Sequence, residues 1–348
     1  MKNKKKLYKN YLFNFSSSYT GGGLKRLIAY IEWFNKKGGA HFIVNDKLRG
    51  KLDDFSRNTY HYISITHFQK LINTQKYVDV VIKEMDRCEF YYSYNIPIKT
   101  NLAQIKWFHL SNVLPFISMS KFNIPYRRRI ELWWLGIIVR QGFRYSDFIS
   151  AESRFSLQLL NQESNKKLLV SPNGADQEIS LISSFSSNNI VKNIAVVIGT
   201  YHHKNLIDSY KIYRHLKANN NELKLVIIGD IDTVPLSIKN DPQVELKGII
   251  DHNKIINVLS NSRFYINTSK IENSWNAASE GVFLAKESFI SKIPPHCELL
   301  QNSTMKFLNH LGTFHPIMHI SRDNLNSDKL ETWDEIITNM NEYIKNRK

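Results

Sequence analysis

Two carboxylates eight positions apart, Glu272 and Glu280, are the side chains best suited to chemistry in this chain. An apolar run before them predicts a buried strand, and the residues between them predict a short loop and the start of a helix. We expect Ser274 to cap that helix, which would leave the amides of Trp275, Asn276 and the next residue free to hold an anion at the positive end of the helix dipole. Such a site can bind a diphosphate through backbone amides while the carboxylates accept hydrogen bonds from hydroxyl groups.

A lysine and two glycine loops are further candidates for anion binding. Lys204 stands at the predicted start of a helix, where the dipole disfavours a cation unless an anion is also bound; a solvated lysine is the alternative. The loop before it begins with Gly199 and Thr200. Residues 21–23 are three glycines between a predicted strand and a predicted helix. They let the backbone approach a ligand, although a mobile loop has the same composition.

A histidine, His109, ends the predicted strand 105–108. At the carboxyl end of a parallel strand it would lie where open α/β sheets bind ligands. Position alone does not separate this role from that of a hydrogen-bonded structural histidine.

A basic and aromatic segment follows in the same half of the chain. Its residues are Arg127, Arg128 and Arg129, then the tryptophan pair Trp133 and Trp134 and an apolar run. One interpretation is a buried helix with a solvated basic end. The other is a surface helix that rests on an anionic bilayer, with arginines and tryptophans at the level of the headgroups.

The elements that must position these residues alternate between strand and helix along the chain. The alternation stops at a serine- and asparagine-rich stretch, 180–189, and then restarts. This pattern predicts the α/β class, with two doubly wound sheets and a cleft between them. We place the domains at 1–178 and 190–327, followed by a C-terminal helix over 328–348.

Length and composition restrict the class of protein. The 348 residues are enough for two domains, and 42% hydrophobic and 22% charged residues are typical of a soluble globular protein. Lys and Arg outnumber Asp and Glu by 47 to 31, so a phosphorylated substrate, nucleic acid or an acidic membrane is the expected partner. No apolar run approaches the roughly 20 residues of a spanning helix, and two distant cysteines give neither a disulfide framework nor a metal site. A cytoplasmic protein fits best.

The order and spacing of several motifs resemble those of retaining glycosyltransferases with the GT-B fold, in the large family four of bacterial polysaccharide and lipopolysaccharide enzymes. Glu272 and Glu280 match that family's motif of two glutamates separated by seven residues. Its interdomain signature, its phosphate-binding loop and the strand after that loop are matched by residues 170–176, residues 197–199 with Lys204, and residues 225–230. Each motif alone is common, but their order and spacing together are specific.

The resemblance implies two Rossmann-like domains that face a central cleft, with the C-terminal helix packing back toward the first domain. The first domain would bind the acceptor and the second the nucleotide-sugar donor. A loop containing Gly22 or Gly23 would close near both substrates. Transfer would proceed on the front face of the sugar with retention at the anomeric carbon, the departing phosphate taking the proton of the acceptor hydroxyl.

The resemblance also implies roles for single residues. Lys204 would neutralise the donor diphosphate, so that neither a metal nor another cofactor is needed. Glu280 would accept hydrogen bonds from the ribose, and Glu272 would contact the transferred sugar. His109 would lie near the sugar's reacting carbon.

The chain departs from the family pattern at two places. Thr200 stands where many relatives carry an arginine, so the second phosphate contact is missing or comes from Lys270 or His203. Residues 273–276 replace the usual glycine-rich run, and Trp275 among them either packs on a ligand or belongs to the core.

These departures keep other functions open. One is a nucleotide-sugar-binding subunit without catalysis. A nucleic-acid binder is favoured by charge alone and lacks any recognisable motif, so we expect no nucleic-acid partner. For a transferase we expect a polyprenyl-diphosphate-linked glycan as acceptor, in O-antigen, lipopolysaccharide or capsule synthesis at the inner face of the cytoplasmic membrane. The donor sugar, its base and the linkage stay open.

Overall fold

A computed structural model describes residues 8–64, 74–117, 125–160, 167–176, 178–180, 191–300, 306–308, 311–325 and 330–347. These described residues form two compact units. Unit 1 contains the chain up to Gly174 together with the C-terminal segment from Glu331, and unit 2 contains the chain from Ala175 to Leu330.

Unit 1 is built on a sheet to which the described residues contribute seven strands. They are β1 (Tyr11–Asn14), β2 (His41–Asn45), β3 (Thr59–Ile63), β4 (Cys88–Tyr94), β5 (Ala103–Leu110), β6 (Phe148–Ala151) and β7 (Lys167–Val170). Their order in the sheet is β3-β2-β1-β4-β5-β6-β7, and all these pairings are parallel. The chain therefore leaves β1 toward one side and β4 toward the other, which creates a switch point between these two strands.

Helices connect the strands of unit 1, as parallel pairing requires. They are α1 (Gly21–Lys36), α2 (Thr74–Glu84), α3 (Tyr126–Phe143), α4 (Arg154–Gln158) and, after the return of the chain from unit 2, α10 (Trp333–Lys345). The C-terminal helix α10 packs against α1, as predicted. Its first turn carries a capping box in which Thr332 and Glu335 satisfy each other's backbone amides.

The core of unit 1 is mainly aromatic. Phe13 of the central strand β1 lies 4.6 Å from Phe34 of α1 and 5.1 Å from Phe42 of β2, measured between ring centroids. Leu27 and Ile31 lie on the same buried face of α1 as Phe34, because they are spaced by about one helical turn. This contact fixes α1 over the sheet and thereby fixes the position of the glycine-rich turn where the helix begins.

A buried arginine, Arg26, contacts both residues 171–173, where the chain leaves unit 1, and Trp333, where it has returned. Its guanidinium donates hydrogen bonds of 2.7 and 2.6 Å to the carbonyl oxygens of Ser171 and Pro172, and one of 3.0 Å to Asn173. It also lies 5.3 Å from the ring centroid of Trp333. An arginine with no exposed surface is stable here because its donors meet backbone and side-chain oxygens.

Unit 2 also contains a sheet of seven described strands. They are β8 (Lys192–Ile198), β9 (Lys224–Ile228), β10 (Val244–Gly248), β11 (Ser262–Asn267), β12 (Glu287–Ser291), β13 (Lys306–Leu308) and β14 (Ile317–Ser321). The order is β10-β9-β8-β11-β12-β14-β13. The first five are parallel, whereas β14 is antiparallel to both its neighbours. The strands β13 and β14 were not predicted from the sequence.

The helices of unit 2 begin later than the sequence indicates. They are α5 (Leu206–Ala218), α6 (Leu236–Lys239), α7 (His252–Ser260), α8 (Asn276–Leu284) and α9 (Pro294–Leu299). The prediction that a helix starts at Lys204 is wrong: Asn205 adopts a left-handed conformation with φ of 55°, which separates a short 3₁₀ turn, His202–Lys204, from α5. The short helix α9, which starts at a proline pair, was also missed.

We predict that Arg26→Ala lowers the free energy of unfolding by at least about 3 kcal/mol. The change leaves two backbone carbonyls without their donor and opens a cavity beside Trp333. Chemical denaturation monitored by tryptophan fluorescence measures the loss. Lys36→Ala on the exposed side of the same helix is the control, and an Arg26→Ala protein as stable as this control would contradict the account.

A second prediction concerns acid. His296 of α9 is fully buried, and its Nδ1 donates to the carbonyl of Ser291 at 2.8 Å. Burial, opposed in part by the charge of Glu272, lowers the pKa of His296 to about 4. In the unfolded chain this histidine binds its proton near pH 6.5. Its contribution to the free energy of unfolding is therefore fully present above that pH and is lost as the pH drops from 6.5 to 4.

The expected slope for this one group is about 1.4 kcal/mol per pH unit within that window. His296→Asn can keep the hydrogen bond to Ser291 but cannot titrate. The free energies of unfolding of the two proteins, measured from pH 7.5 to 4.5, should therefore approach each other as the pH falls. Two parallel curves would show that the histidine does not titrate as inferred.

Candidate functional site

The candidate site of unit 2 lies at the switch point of its sheet. The neighbouring strands β8 and β11 run parallel, and the chain leaves them toward different sides of the sheet. Their carboxyl ends lead into two loops, which begin at Gly199 and at Thr268. Ligands of open α/β sheets bind in the crevice at such a point.

An ion pair joins these two loops. The Lys204 ammonium donates to Oε1 of Glu272 at 2.5 Å, and both side chains are 15% exposed. The Ser269 hydroxyl donates to the same carboxylate oxygen at 2.6 Å. The structure therefore brings together the predicted phosphate-binding lysine and the predicted sugar-binding glutamate.

The pKa of Glu272 is lowered by this arrangement. Burial by itself would raise it, but the charge of Lys204 and the hydrogen bonds from Lys204 and Ser269 outweigh burial. The carboxylate is therefore ionised at neutral pH. It faces a lysine whose charge it balances, so the pair is neutral in total.

The backbone of the Gly199 loop explains how Lys204 reaches Glu272. Gly199 has φ of 87°, and a Cβ atom at this position would lie 3.2 Å from Cγ of Lys204. Glycine is needed both for the dihedral angle and for the passage of the lysine side chain over the turn. The sequence predicted Gly199 as part of a donor-binding loop, and the structure places its turn against the side chain of Lys204.

Thr200 does not supply the missing arginine contact. Its side chain is buried, and its hydroxyl donates to the backbone carbonyl of Asp230 at 2.9 Å. The two residues considered as substitutes do lie beside the ion pair, since the amide of Lys270 donates to the carbonyl of His203 at 2.7 Å. Burial lowers the pKa of His203, against the opposing charge of Glu272, so this imidazole is neutral at pH 7.

The predicted cap of the next helix is wrong. Helix α8 starts at Asn276, with Trp275 rather than Ser274 at the N-cap position and without a side-chain cap. The free amides at the helix start are therefore those of Asn276 and the residues after it. Trp275 is partly buried and packs against the hydrophobic cluster of unit 2, which favours the core interpretation of this residue.

Glu280 lies one turn into α8 and is held by a residue that the sequence did not single out. Nε2 of His252, the first residue of α7, lies 2.8 Å from Oε1 of Glu280, which is 9% exposed. Burial first, and then the charges of Glu272 and Glu280, raise the pKa of Tyr265. The electrostatic influence of both carboxylates therefore reaches this buried tyrosine.

In unit 1, His109 is fully buried at the end of β5. Its ring is stacked between Tyr92 and Tyr94 at centroid distances of 5.9 and 5.3 Å, and its Nδ1 is 2.8 Å from the hydroxyl of Ser150. Its Nε2 lies 3.8 Å from Oε1 of Glu152 and has no hydrogen-bond partner among the residues that the structure describes. Burial, assisted by the charge of Arg26, lowers its pKa to about 4, so the imidazole is neutral.

Glu152 is a second residue that the sequence analysis missed. It follows the strand that pairs with β5 through His109 and Ser150. The signal that could have found it is its place just past the carboxyl end of a strand, the same kind of position that marked His109. It is buried beside that histidine, so it belongs with His109 and Ser150 to one group of buried polar side chains in unit 1.

The glycines of unit 1 form the first turn of α1 and not a free loop, so this expectation is corrected. Gly21 starts the helix with φ of 61°, and Gly22 and Gly23 follow within the turn. A Cβ at Gly23 would lie 3.1 Å from the Ser18 hydroxyl and 3.2 Å from Tyr94. Thr20, at the N-cap position, makes no side-chain hydrogen bond to the helix. As in unit 2, a helix start without a side-chain cap lies at the switch point of the sheet.

The basic and aromatic segment forms helix α3. The exposure of its two tryptophans contradicts the interpretation of this segment as a buried helix. Trp133 and Trp134 are 57% and 53% exposed. Arg128 pairs with Glu131 at 2.8 Å, and Arg127 lies 3.7 Å from the same carboxylate. A solvent-facing surface of unit 1 therefore carries Arg127, Arg128, Trp133 and Trp134. Arg129 lies between them in sequence.

In the described ranges, no group of three or more His, Cys, Asp or Glu side chains could hold a metal ion. Within the same residues, every helix is too short or too polar to cross a bilayer.

Comparison with known proteins gives matches in structure only. No family model matches the sequence, and no curated protein sequence matches it significantly. The structure of Anabaena Alr3699/HepE in complex with UDP and glucose is 14% identical, with a TM-score of 0.62 over 97% of this chain and 100% of that chain. A glycosyltransferase from Rickettsia africae ESF-5 is 16% identical, with a TM-score of 0.57 over 85% and 83% of the two chains.

A third similar structure is WaaG, a glycosyltransferase involved in lipopolysaccharide biosynthesis. It is 10% identical, with a TM-score of 0.56 over 83% of this chain and 82% of that chain. At such low identity the likeness is one of fold. The predicted fold class is confirmed: two parallel-rich α/β units give this chain the GT-B fold of glycosyltransferases.

Proposed function

We propose that the protein is a glycosyltransferase that moves a sugar from a nucleoside diphosphate sugar to a hydroxyl of a glycan, with retention at the anomeric carbon and without a metal. The observation that carries this proposal is the Lys204–Glu272 ion pair at the switch point of the unit 2 sheet. HepE, whose structure holds UDP and glucose, and WaaG, a lipopolysaccharide enzyme, have the same fold and support the class of reaction.

The ion pair explains how a donor could be bound. A diphosphate beside Lys204 replaces Glu272 as the partner of the ammonium, and the released carboxylate then accepts hydrogen bonds from sugar hydroxyls. Neither charge is left buried and unpaired during this exchange. The start of α8 adds free amides and a positive dipole end for the same diphosphate.

The reaction follows from these contacts. The bond between the anomeric carbon and the phosphate oxygen breaks, and its electrons pass to the diphosphate, whose developing charge Lys204 stabilises. The acceptor oxygen forms the new bond on the same face, and its proton passes to the departing phosphate. Glu272 stabilises the positive charge that develops on the sugar ring. His109 is the residue of unit 1 that we assign to the sugar's reacting centre.

A thermal-shift screen against UDP-, GDP- and CDP-sugars tests the donor class directly. A bound donor raises the melting temperature because it binds only the native state. Release of nucleoside diphosphate in the presence of a glycan acceptor then tests the reaction. A protein that none of these donors stabilises would remove the basis for the proposal.

Substitutions separate the roles of the two glutamates. We expect Glu272→Ala to lower turnover by about 100-fold or more, while the affinity for the nucleoside diphosphate stays at least as high, because Lys204 loses a competitor. Glu280→Ala should also weaken nucleotide binding. Initial rates and isothermal titration calorimetry measure the two quantities, with Lys224→Ala at the far end of β9 as the control. Wild-type turnover in both glutamate variants would end this assignment.

A second candidate function is that of a nucleotide-sugar-binding subunit without catalysis. The observation that favours it is Thr200, whose hydroxyl is bonded within the fold where relatives carry an arginine. This candidate predicts the same thermal shifts. It differs in that no nucleoside diphosphate is released with any acceptor.

For the acceptor, we propose a polyprenyl-diphosphate-linked glycan, bound while helix α3 rests on the anionic inner face of the cytoplasmic membrane. Exposed tryptophans beside a cluster of arginines support this location, because such side chains suit the headgroup region. The net charge of +16 favours the same partner. Such acceptors are intermediates of bacterial surface polysaccharides, of which O-antigen, lipopolysaccharide and capsule are the classes we propose.

Liposome binding tests this surface. Neutralising Arg127, Arg128 and Arg129 together should weaken binding to anionic vesicles by about 100-fold, at roughly 1 kcal/mol for each arginine near the surface. The control removes three exposed lysines of unit 1 outside α3: Lys36, Lys37 and Lys51. Co-sedimentation with phosphatidylglycerol vesicles gives the affinities. Equal losses in the two triple variants would mean that α3 is not the membrane-binding surface.

A further inference from the structure

His252 stands beside Glu280 although the family resemblance gives it no role. It is the first residue of α7, and α7 packs against α8, which carries Glu280. Its Nε2 lies 2.8 Å from Oε1 of the glutamate. Because a carboxylate can only accept, the imidazole must carry its hydrogen on Nε2 in this contact.

The two side chains differ in exposure in a way that matters for binding. The His252 side chain is 36% exposed, while that of Glu280 is 11% exposed. A carboxylate so deeply placed loses most of its hydration, so hydrogen-bond donors of the protein must replace that water and hold the group in one rotamer. His252 provides that donor from a neighbouring helix.

We propose that His252 is a positioning residue of the nucleotide site, which holds the Glu280 carboxylate oriented to accept hydrogen bonds from the hydroxyls of a ribose. The inference rests on the proposed function, because it takes Glu280 as the ribose-binding residue. A carboxylate has about four acceptor positions, and the bond from His252 uses one of them. The imidazole therefore fixes the orientation of the carboxylate that we assign to the vicinal hydroxyls.

A plain helix-to-helix ion pair is the alternative to this role. Such a pair would contribute stability, and its loss would weaken all ligands alike or none of them. A positioning residue acts through the contact between Glu280 and the ribose, so its loss affects ligands that carry the ribose hydroxyls more than ligands that lack one. The preference for ribonucleotides over deoxyribonucleotides is therefore the deciding quantity.

The experiment compares UDP, GDP and CDP with their 2′-deoxy counterparts by isothermal titration calorimetry. The wild-type protein should prefer the ribonucleotide that it binds by about ten-fold, as expected for hydrogen bonds to a charged group. His252→Ala should lose most of this preference, with a ribonucleotide affinity about ten-fold weaker. His252→Gln, whose amide can donate from nearly the same place as Nε2, should recover most of both.

His215→Ala is the matched control, since it removes an exposed histidine of the same unit. Melting temperatures of all variants establish that they fold. An unchanged preference in a folded His252→Ala protein overturns the inference, and so does an equal loss for ribo- and deoxyribonucleotides. If the wild-type protein binds none of these nucleoside diphosphates, the proposed function fails first and this inference fails with it.

Discussion

The contact between the Lys204 ammonium and the Glu272 carboxylate is the interaction on which the candidate site depends. Each group is mostly removed from water, and an isolated charge at such a place would be too unfavourable to keep. The two loops are therefore held together as long as no other ion is present. Gly199 gives the lysine its path, and Ser269 fixes the oxygen that it meets. A diphosphate is a ligand that can replace one member of this pair without leaving the other unpaired.

The same construction occurs at the switch point of each sheet. Asn14 and Asn267 end their strands, and the side-chain oxygen of each accepts a hydrogen bond from the backbone amide of a serine two positions later, Ser16 and Ser269. This turn closes the strand end by local hydrogen bonds, so the following loop starts from a fixed geometry. In unit 2 that loop carries Glu272, and in unit 1 it leads to the first turn of α1.

Much of this could be predicted from the sequence because it is local. Apolar runs and turn residues located most strands, and the spacing of motifs located Lys204, Glu272 and Glu280. The starts of helices were less accurate, since Asn205 and Trp275 break the pattern by conformations that composition does not reveal. Partners from distant segments could not be foreseen: the sequence contains no sign that His252 meets Glu280 or that Arg26 holds residues 171–173. The exposure of Trp133 and Trp134 likewise depends on packing that periodicity alone does not determine.

The exchange of partners at Lys204 is the central claim, and a double-mutant cycle on nucleoside diphosphate affinity tests it most directly. The affinity of the better bound of UDP and GDP would be measured for the wild type, Lys204→Ala, Glu272→Gln and the double variant. If Glu272 competes with the diphosphate for the ammonium, Glu272→Gln tightens binding when Lys204 is present and has no such effect when it is absent. The same change in affinity with and without Lys204 would contradict the account.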